Sequence, residues 1–281
     1  MTITWLDYTD STQDALFDAT AAEPERWPHL SALATLDQRS GRGRRGRQWT
    51  TPAGTALSVS VVLRPELSPE HFSWVTLVAA AATVRELERR GVPAQVKWPN
   101  DILAEDGRKL CGILATVLPQ SDQAPPGLVL GLGLNLDFGP HGAPVDTATS
   151  IAEWLPARTP VDPAELLSSL LEAIGVGLEE FADSVREHPG AVDGMHPAAR
   201  AVVGRLGTLG SKVTLQLPDG SELTGLAAGL GSGGTLLVDP GTEGSPSAEG
   251  EHGKMDGTVS GGVRNGNLRE ISSADVVHLR R

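Results

Sequence analysis

Residues 38–49 read QRSGRGRRGRQW, and this stretch holds five of the chain's 23 basic side chains: Arg39, Arg42, Arg44, Arg45 and Arg47. Glycines at 41, 43 and 46 are interleaved with them. Guanidinium groups are planar, permanently charged and forked, which suits carboxylate and phosphate oxygens. Glycine lets the backbone turn through positive φ and come close to a ligand. The combination describes a flap that closes over a small anion. A solvated basic loop and a short arginine-rich nucleic-acid contact are the plainer readings of the same residues.

The rest of the chain weighs on that choice. Its formal net charge is −12 and its sequence pI about 5.0, so positive charge is concentrated in one loop on an acidic body. Such a balance argues against duplex DNA as the main partner, because non-specific affinity comes from neutralising phosphates. The opening residues, MTITWLDYTDST, have neither a basic nor an apolar leader region, and no run reaches the length of a membrane span. Cys111 is the single cysteine, which excludes an internal disulfide and a cysteine-based zinc site. A reducing, cytoplasmic setting is expected.

The elements that must position the flap are legible from periodicity. A short apolar strand at 2–6 precedes a helix start at Asp10-Ser11-Thr12, with Ala15, Leu16 and Ala19 as its apolar face. A strand at 32–37 runs into the arginine loop, and alternation at 55–65 marks another. Ser68 and Pro69 are placed as N-cap and first residue of a helix reaching Arg90. Strands at 93–98, at DILA (101–104), at 109–118 and at 127–137 follow, with Glu105-Asp106-Gly107 turning a hairpin. After a loop-rich segment at 138–161, Asp162-Pro163 opens a helix to about Val185. Near residue 196 the pattern changes to short strands with glycine turns, then a polar, glycine-rich stretch at 241–262 read as a mobile loop, then a final strand SADVVHLRR. The expected architecture is α+β, with residues 1–195 as one domain and a small β-barrel at 196–281.

Four segments now stand in order: GRGRRGRQW (41–49), KWPND (97–101), KLCGIL (109–114) and GLGLN (131–135). With Asp10-Ser11-Thr12 before them and Ala148-Thr149-Ser150 after, the chain resembles the biotin protein ligases over most of residues 10–150 and the final strand. The resemblance implies a mixed sheet flanked by helices, a core of the class II aminoacyl-tRNA synthetase and lipoate ligase type, followed by an SH3-like barrel. It also implies a two-step reaction. Biotin's carboxylate attacks the α-phosphate of MgATP, and a lysine on the biotin carboxyl carrier domain of an acyl-CoA carboxylase then takes the biotinyl group. Two anions must be brought together and a mixed anhydride kept from water.

Carried over residue by residue, Ser11, Thr12 and Gln38 are the implied contacts to biotin's ureido ring, with helix capping and a strand end as their structural alternatives. Gly41 and Arg42 match positions that meet the ligand carboxylate and phosphate. Arg44, Arg45 and Arg47 order the flap or reach ATP phosphates, and Trp49 and Arg280 are grouped with the nucleotide contacts. Lys109 matches the lysine between carboxylate and α-phosphate, with Gly112 permitting close backbone approach. Asn100 and Asp101 belong to the site, Asp101 orienting groups or helping to deprotonate the incoming lysine, whose unperturbed pKa is about 10.4. Trp98 reads as core. Asn135 meets adenine or ribose, or simply forms a turn. Cys111 departs from the small residue usual at its position and reads as core rather than as a catalytic thiol. Gln13 replaces the asparagine common after Ser-Thr. No protein metal site is expected beyond the Mg2+ that accompanies ATP, and a monomer or weak homodimer is expected.

Three other functions compete with this reading, one of them a non-catalytic adenylate-binding or RNA-binding protein using the arginine loop, which would leave Lys109 and KWPND unexplained. A lipoate or octanoate ligase would want apolar walls where Ser11, Thr12 and Gln38 stand. A biotin-responsive repressor carries an N-terminal helix-turn-helix domain, and nine residues before Asp10 are too few for one. Neither nucleic acid nor membrane is expected as a partner.

Overall fold

The computed structural model describes residues 1–119, 122, 124–156, 159–241 and 268–278. Arg280, and the expected loop apart from Gly241, lie outside them. The chain begins with strand β1 (Thr2–Trp5), helix α1 (Thr12–Ala22) and strand β2 (Ser31–Thr35). The arginine stretch forms a small hairpin, β3 (Gly41–Arg42) and β4 (Gln48–Trp49). Strand β5 (Ala56–Leu63) leads to helix α2 (Phe72–Arg89). Strands β6 (Ala94–Lys97), β7 (Asp101–Ala104), β8 (Lys109–Val117) and β9 (Leu128–Asn135) follow, then helix α3 (Pro163–Glu187).

Seven of these strands make one sheet, in the order β1-β2-β5-β9-β8-β7-β6. Only β1 and β2 run parallel; every other pair is antiparallel. Successive side chains on a strand face opposite ways, so each strand serves two layers. Leu57, Val59, Val61, Leu130, Leu132 and Leu134 belong to the large core shared with α2 and α3. Val62, Val129, Leu33 and Leu118 face the other side and pack with Leu16 of α1. That second face is only partly covered. Where α1 ends its contact, the outward positions of β8 and β9 are Gly112, Gly131 and Gly133.

One irregularity breaks the alternation. In β8 the pairing shifts, so that Cys111 opposes Ile102 and Lys109 opposes Leu103, leaving Leu110 as the extra residue. Leu110 and Cys111 consequently both lie in the large core, fully buried. A bulge of this kind re-aims a neighbouring side chain. Here it brings Lys109 to the same face as Gly112, three residues on.

Helix α2 begins after a 3-10 turn at Pro69–His71, and the Ser68 side chain makes no capping bond. The helix therefore starts later than sequence suggested, because the proline-led turn is tighter than α. Ser11 does cap α1, accepting from the Asp14 amide at 3.2 Å, and Asp162 caps α3. Beyond a short helix α4 (Arg200–Val203), strands β10 (Lys212–Gln216), β11 (Glu222–Leu230), β12 (Leu236–Asp239), β13 (Arg269–Ile271) and β14 (Asp275–His278) form an antiparallel sheet. Its order is β13-β12-β11-β10-β14, so among the described residues it is an open sheet with β13 and β14 at its edges rather than a closed barrel. Two strands, not one, lie in the final described stretch. Among the described residues no helix is long and apolar enough to cross a membrane.

Candidate active site

A row of register partners crosses the sheet on its less covered face: Lys97, Asp101, Gly112, Gly133, Ser58 and Thr35, one from each of β6, β7, β8, β9, β5 and β2. Charge sits at one end, hydroxyls at the other, and two glycines between them. A Cβ on Gly133 would lie 2.5 Å from the Trp49 ring, and one on Gly112 would lie 3.2 Å from Lys109 Nζ. The missing side chains thus make a floor on which the Trp49 indole and the Lys109 chain rest. Lys109 Nζ is 5.4 Å from the Trp49 ring centroid, within cation–π range. The opening between floor and flap is lined by residues from α1, the arginine hairpin, Asn100, Asp101, Lys109 and Asp275.

At the hydroxyl end, Thr12 donates to Gln38 Oε1 from its backbone nitrogen at 2.8 Å and from Oγ1 at 3.1 Å. Ser60 Oγ lies 2.9 Å from Thr12 Oγ1 and 3.2 Å from Gln13 Oε1. Gln13 also donates to Thr116 Oγ1 and to the Val129 carbonyl, filling the space that Gly131 leaves. The Gln38 amide nitrogen has no protein partner among the described residues, so its N–H groups are available to a ligand. Ser11, Thr12, Gln13 and Ser60 are all buried. The structure therefore gives Ser11 both a cap bond and a place in the pocket lining.

At the charged end, Lys109 Nζ pairs with Asp101 Oδ1 at 2.7 Å. Asn100 donates to the Ile113 carbonyl at 2.7 Å and accepts from Arg44 Nη1 at 3.3 Å, so its amide ties the flap to the sheet. Arg44 also reaches Ser273 Oγ at 2.8 Å. Burial lowers the Arg44 pKa; Asp101 opposes the shift, and Arg45 and Arg47 add to it. Lys97 is lowered in the same sense, again mainly by burial, with Asp101 opposing and Lys109 and Arg47 adding. Crowded, half-buried cations that outnumber their carboxylates make an anion site.

The flap is held from outside the large sheet. Arg45 Nη1 lies 3.2 Å from Asp275 Oδ2, and Arg47 shares that oxygen. Arg45 also donates to the Gln216 and Leu217 carbonyls. Its φ of 57° is left-handed, a conformation costing a non-glycine residue about 1 kcal/mol that these contacts must hold in place. Arg42 lines the same opening but pairs with Asp14 of α1 at 2.8 Å rather than with Asp275. Gly41 has no room for a Cβ, which would lie 2.3 Å from the Gln38 amide nitrogen.

Among the described residues, two buried polar atoms facing this region have no hydrogen-bond partner, Trp49 Nε1 and Asn135 Oδ1. Asn135 uses its Nδ2 on the Lys109 and Thr149 carbonyls, at 3.1 and 2.9 Å. A buried acceptor left unpaired costs on the order of 1–3 kcal/mol, which a ligand donor would recover. Trp98 is core, 2 % exposed, with Nε1 on the Gly234 carbonyl. Cys111 is buried, its thiol pushed up to about 12 by desolvation, which removes it as a nucleophile near neutral pH. Sequence reasoning missed Ser60, Ser273 and Asp275 and gave Gln13 no contact role. Ser58 and Ser60 carried a signal, as polar residues inside a strand buried along its length. Asp275 carried none, because its partners lie some 230 positions earlier in the chain.

The sheet and its pocket are those of a biotin/lipoate ligase-type domain: residues 5–135 match the Biotin/lipoate A/B protein ligase family. The chain is 30% identical over 253 residues to the biotin--[acetyl-CoA-carboxylase] ligase of Mycobacterium tuberculosis, covering 88% of this chain and 79% of that one. It is 30% identical over 233 residues to the enzyme of the same name from Paracoccus denitrificans, covering 79% and 90%. The fold superposes on the biotin protein ligase from Aquifex aeolicus in complex with biotin and ATP with a TM-score of 0.68, at 23% identity, over 100% of this chain and 99% of that one. The chain belongs to the biotin protein ligase family.

Proposed function

We propose that this protein activates biotin with MgATP to biotinyl-5′-AMP and transfers biotin to a lysine of a biotin carboxyl carrier domain of an acyl-CoA carboxylase. The observation that carries the reading is the polarity of the pocket: a neutral hydroxyl and amide end at Thr12, Gln38 and Ser60, and a cationic end at Lys109 beside Asp101. A ureido ring needs both donors and an acceptor, which the first end offers. A carboxylate and a phosphate need compact positive charge, which the second supplies. In the first step a carboxylate oxygen attacks the α-phosphorus and pyrophosphate leaves with the bonding pair. Lys109 releases Asp101 and follows the negative charge as it moves between acid and phosphate. In the second, the freed Asp101 accepts a proton from the incoming amine, which then attacks the acyl carbon as AMP departs.

Asn135 Oδ1, unpaired and buried, suits an amino donor on the adenine. The flap closes the mixed anhydride from water. Mg2+ accompanies the nucleotide in this reading and rides on its phosphate oxygens. Residues 1–195 bind both substrates, and 196–281 complete the flap. A cytoplasmic setting belongs to the same reading, as does the absence of repressor activity, which the acidic charge of the chain supports.

The test needs no carrier protein. Pyrophosphate exchange is followed with MgATP and biotin, lipoate or octanoate in parallel, using wild type and Lys109→Ala. Exchange with biotin alone, reduced about 100-fold or more in the variant at unchanged Tm, is the expected result. Exchange with lipoate or octanoate instead would overturn the pocket assignment, and a fully active variant would remove Lys109 from the chemistry.

A further inference from the structure

The ligand face of the sheet carries one cation that the reaction above does not use. Lys97 ends β6, an edge of the large sheet, and is the register partner of Asp101 across the turn at 98–100. Its neighbour Val96 is fully buried in the large core, so the Lys97 side chain stands on the opposite face, the one that carries Asp101 and Gly112. It is half-buried there. Among the described residues no carboxylate comes within ion-pairing distance of its ammonium, because Asp101 is taken by Lys109.

We infer that Lys97 forms the subsite for the pyrophosphate portion of the nucleotide, and contacts the leaving group as the bond between the α- and β-phosphates breaks. The geometry of the row supports this. The acid enters from the hydroxyl end, over Gly133, and its carboxylate meets the α-phosphate above Gly112, beside Lys109. The unpaired Asn135 acceptor lies two residues along β9 from Gly133 and draws the nucleoside toward that end of the strand. The remaining phosphates then extend past Asp101, away from the acid, which is where Lys97 stands, within electrostatic reach of Arg47 on the flap. The leaving group departs with the electron pair and gains negative charge, and an ammonium already desolvated and without a close anion meets it at little reorganisation cost. Burial lowers the Lys97 pKa, and a phosphate would favour the charged form. Phosphate contacts by Lys are point-charge contacts, so a second lysine suits a group whose position shifts as it leaves.

The inference rests on the ligase reading, and its test separates the two. Wild type, Lys97→Met and Lys97→Arg are compared in three measurements: adenylation by pyrophosphate exchange, transfer of biotin from supplied biotinyl-5′-AMP to a carrier domain, and magnesium pyrophosphate and biotin binding by titration calorimetry. Pyrophosphate exists only in the first half-reaction. Lys97→Met is therefore expected to lower kcat/KM for ATP by about 100-fold and pyrophosphate affinity by about tenfold. Biotin affinity, transfer from supplied adenylate and Tm should stay within about twofold or a degree of wild type. Lys97→Arg should recover part of the pyrophosphate affinity. Equal losses in both half-reactions would mean that Lys97 only positions Asp101, and would overturn the subsite. So would unchanged exchange and pyrophosphate binding. If Lys97→Met unfolds, Lys97→Gln takes its place and is read the same way: pyrophosphate affinity lost at wild-type Tm supports the subsite, and unchanged affinity sinks it. A wild type that exchanges with no acid would refute the ligase reading, while calorimetry would still read the pyrophosphate subsite.

Discussion

Gly133 and Trp49 are a pair in which the side chain missing from one is the seat of the other. The ring lies where a Cβ would be, so the smallest possible addition has a large effect. Gly133→Ala is expected to unseat the indole, shift part of the tryptophan emission to longer wavelength, and weaken biotin binding by about tenfold. Fluorescence and calorimetry on the same samples check this, and unchanged spectra with unchanged affinity would mean the ring has another place to go. The glycines at 131 and 133 were visible in sequence as punctuation in an apolar strand. Why they are glycines was not, because one makes room for Gln13 and the other for Trp49, both from distant elements. Ser11 and Lys109 were legible for the opposite reason: capping and motif spacing are local, and the structure keeps both where spacing put them.

At the scale of elements, the arginine hairpin is the part whose arrangement depends on other parts. Its two strands pair over only two registers, Gly41 with Trp49 and Arg42 with Gln48. A hairpin that short is not stable alone. What holds it is Asn100 from the turn between β6 and β7, Ser273 from the link between β13 and β14, and Asp275 at the start of β14. Asp275→Asn leaves Arg45 and Arg47 without their shared carboxylate. The two partly exposed pairs are worth about 1 kcal/mol together, roughly a fivefold change in opening. Limited trypsin digestion should accordingly cut at Arg45 or Arg47 about five times faster in the variant. Equal rates would show that the hydrogen bonds to Ser273, Gln216 and Leu217 suffice. The elements themselves were legible, since each strand and long helix follows its own periodicity within a few residues. The late start of α2 was not, because a proline-led turn and a first α-turn read alike in sequence.

Across the whole molecule, one large core includes side chains from both sheets, Val213, Leu215 and Val238 as well as Leu130 and Val61. Trp98 adds direct bonds from the first part to the second, its backbone nitrogen to Thr208 and its indole to Gly234. A change in sequence character near residue 196 therefore marks a change of sheet and not a break in packing. Stability of the whole should also carry a histidine signature. His29 accepts from the Arg64 amide through Nδ1 at 2.9 Å and is lowered below its ordinary 6.5, chiefly by burial, with Glu179 opposing and the N-terminus and Arg64 adding. A depressed folded pKa means the unfolded chain binds the proton more readily, so this contribution is complete above pH 6.5 and is lost as pH falls toward the folded value. Chemical denaturation between pH 7.5 and 5 should show stability falling faster in wild type than in His29→Asn. Parallel curves would remove His29 as a cause.

The bulge at Leu110 has a consequence for how β8 tolerates change in its length. Because Leu110 is the surplus residue, dropping it would give a tidier ladder and a perfect alternation. That edit would leave Lys109 on the cleft face, directly beside Cys111; straightening β8 with Leu110 retained is what would turn the lysine into the oily layer under α2, so a better-formed strand of the same length would be an inert one. In this stretch the pairing, more than the kinds of residue, keeps the lysine on the cleft face, and a lineage could exchange Leu110 for other apolar residues far more freely than it could regularise the ladder around it.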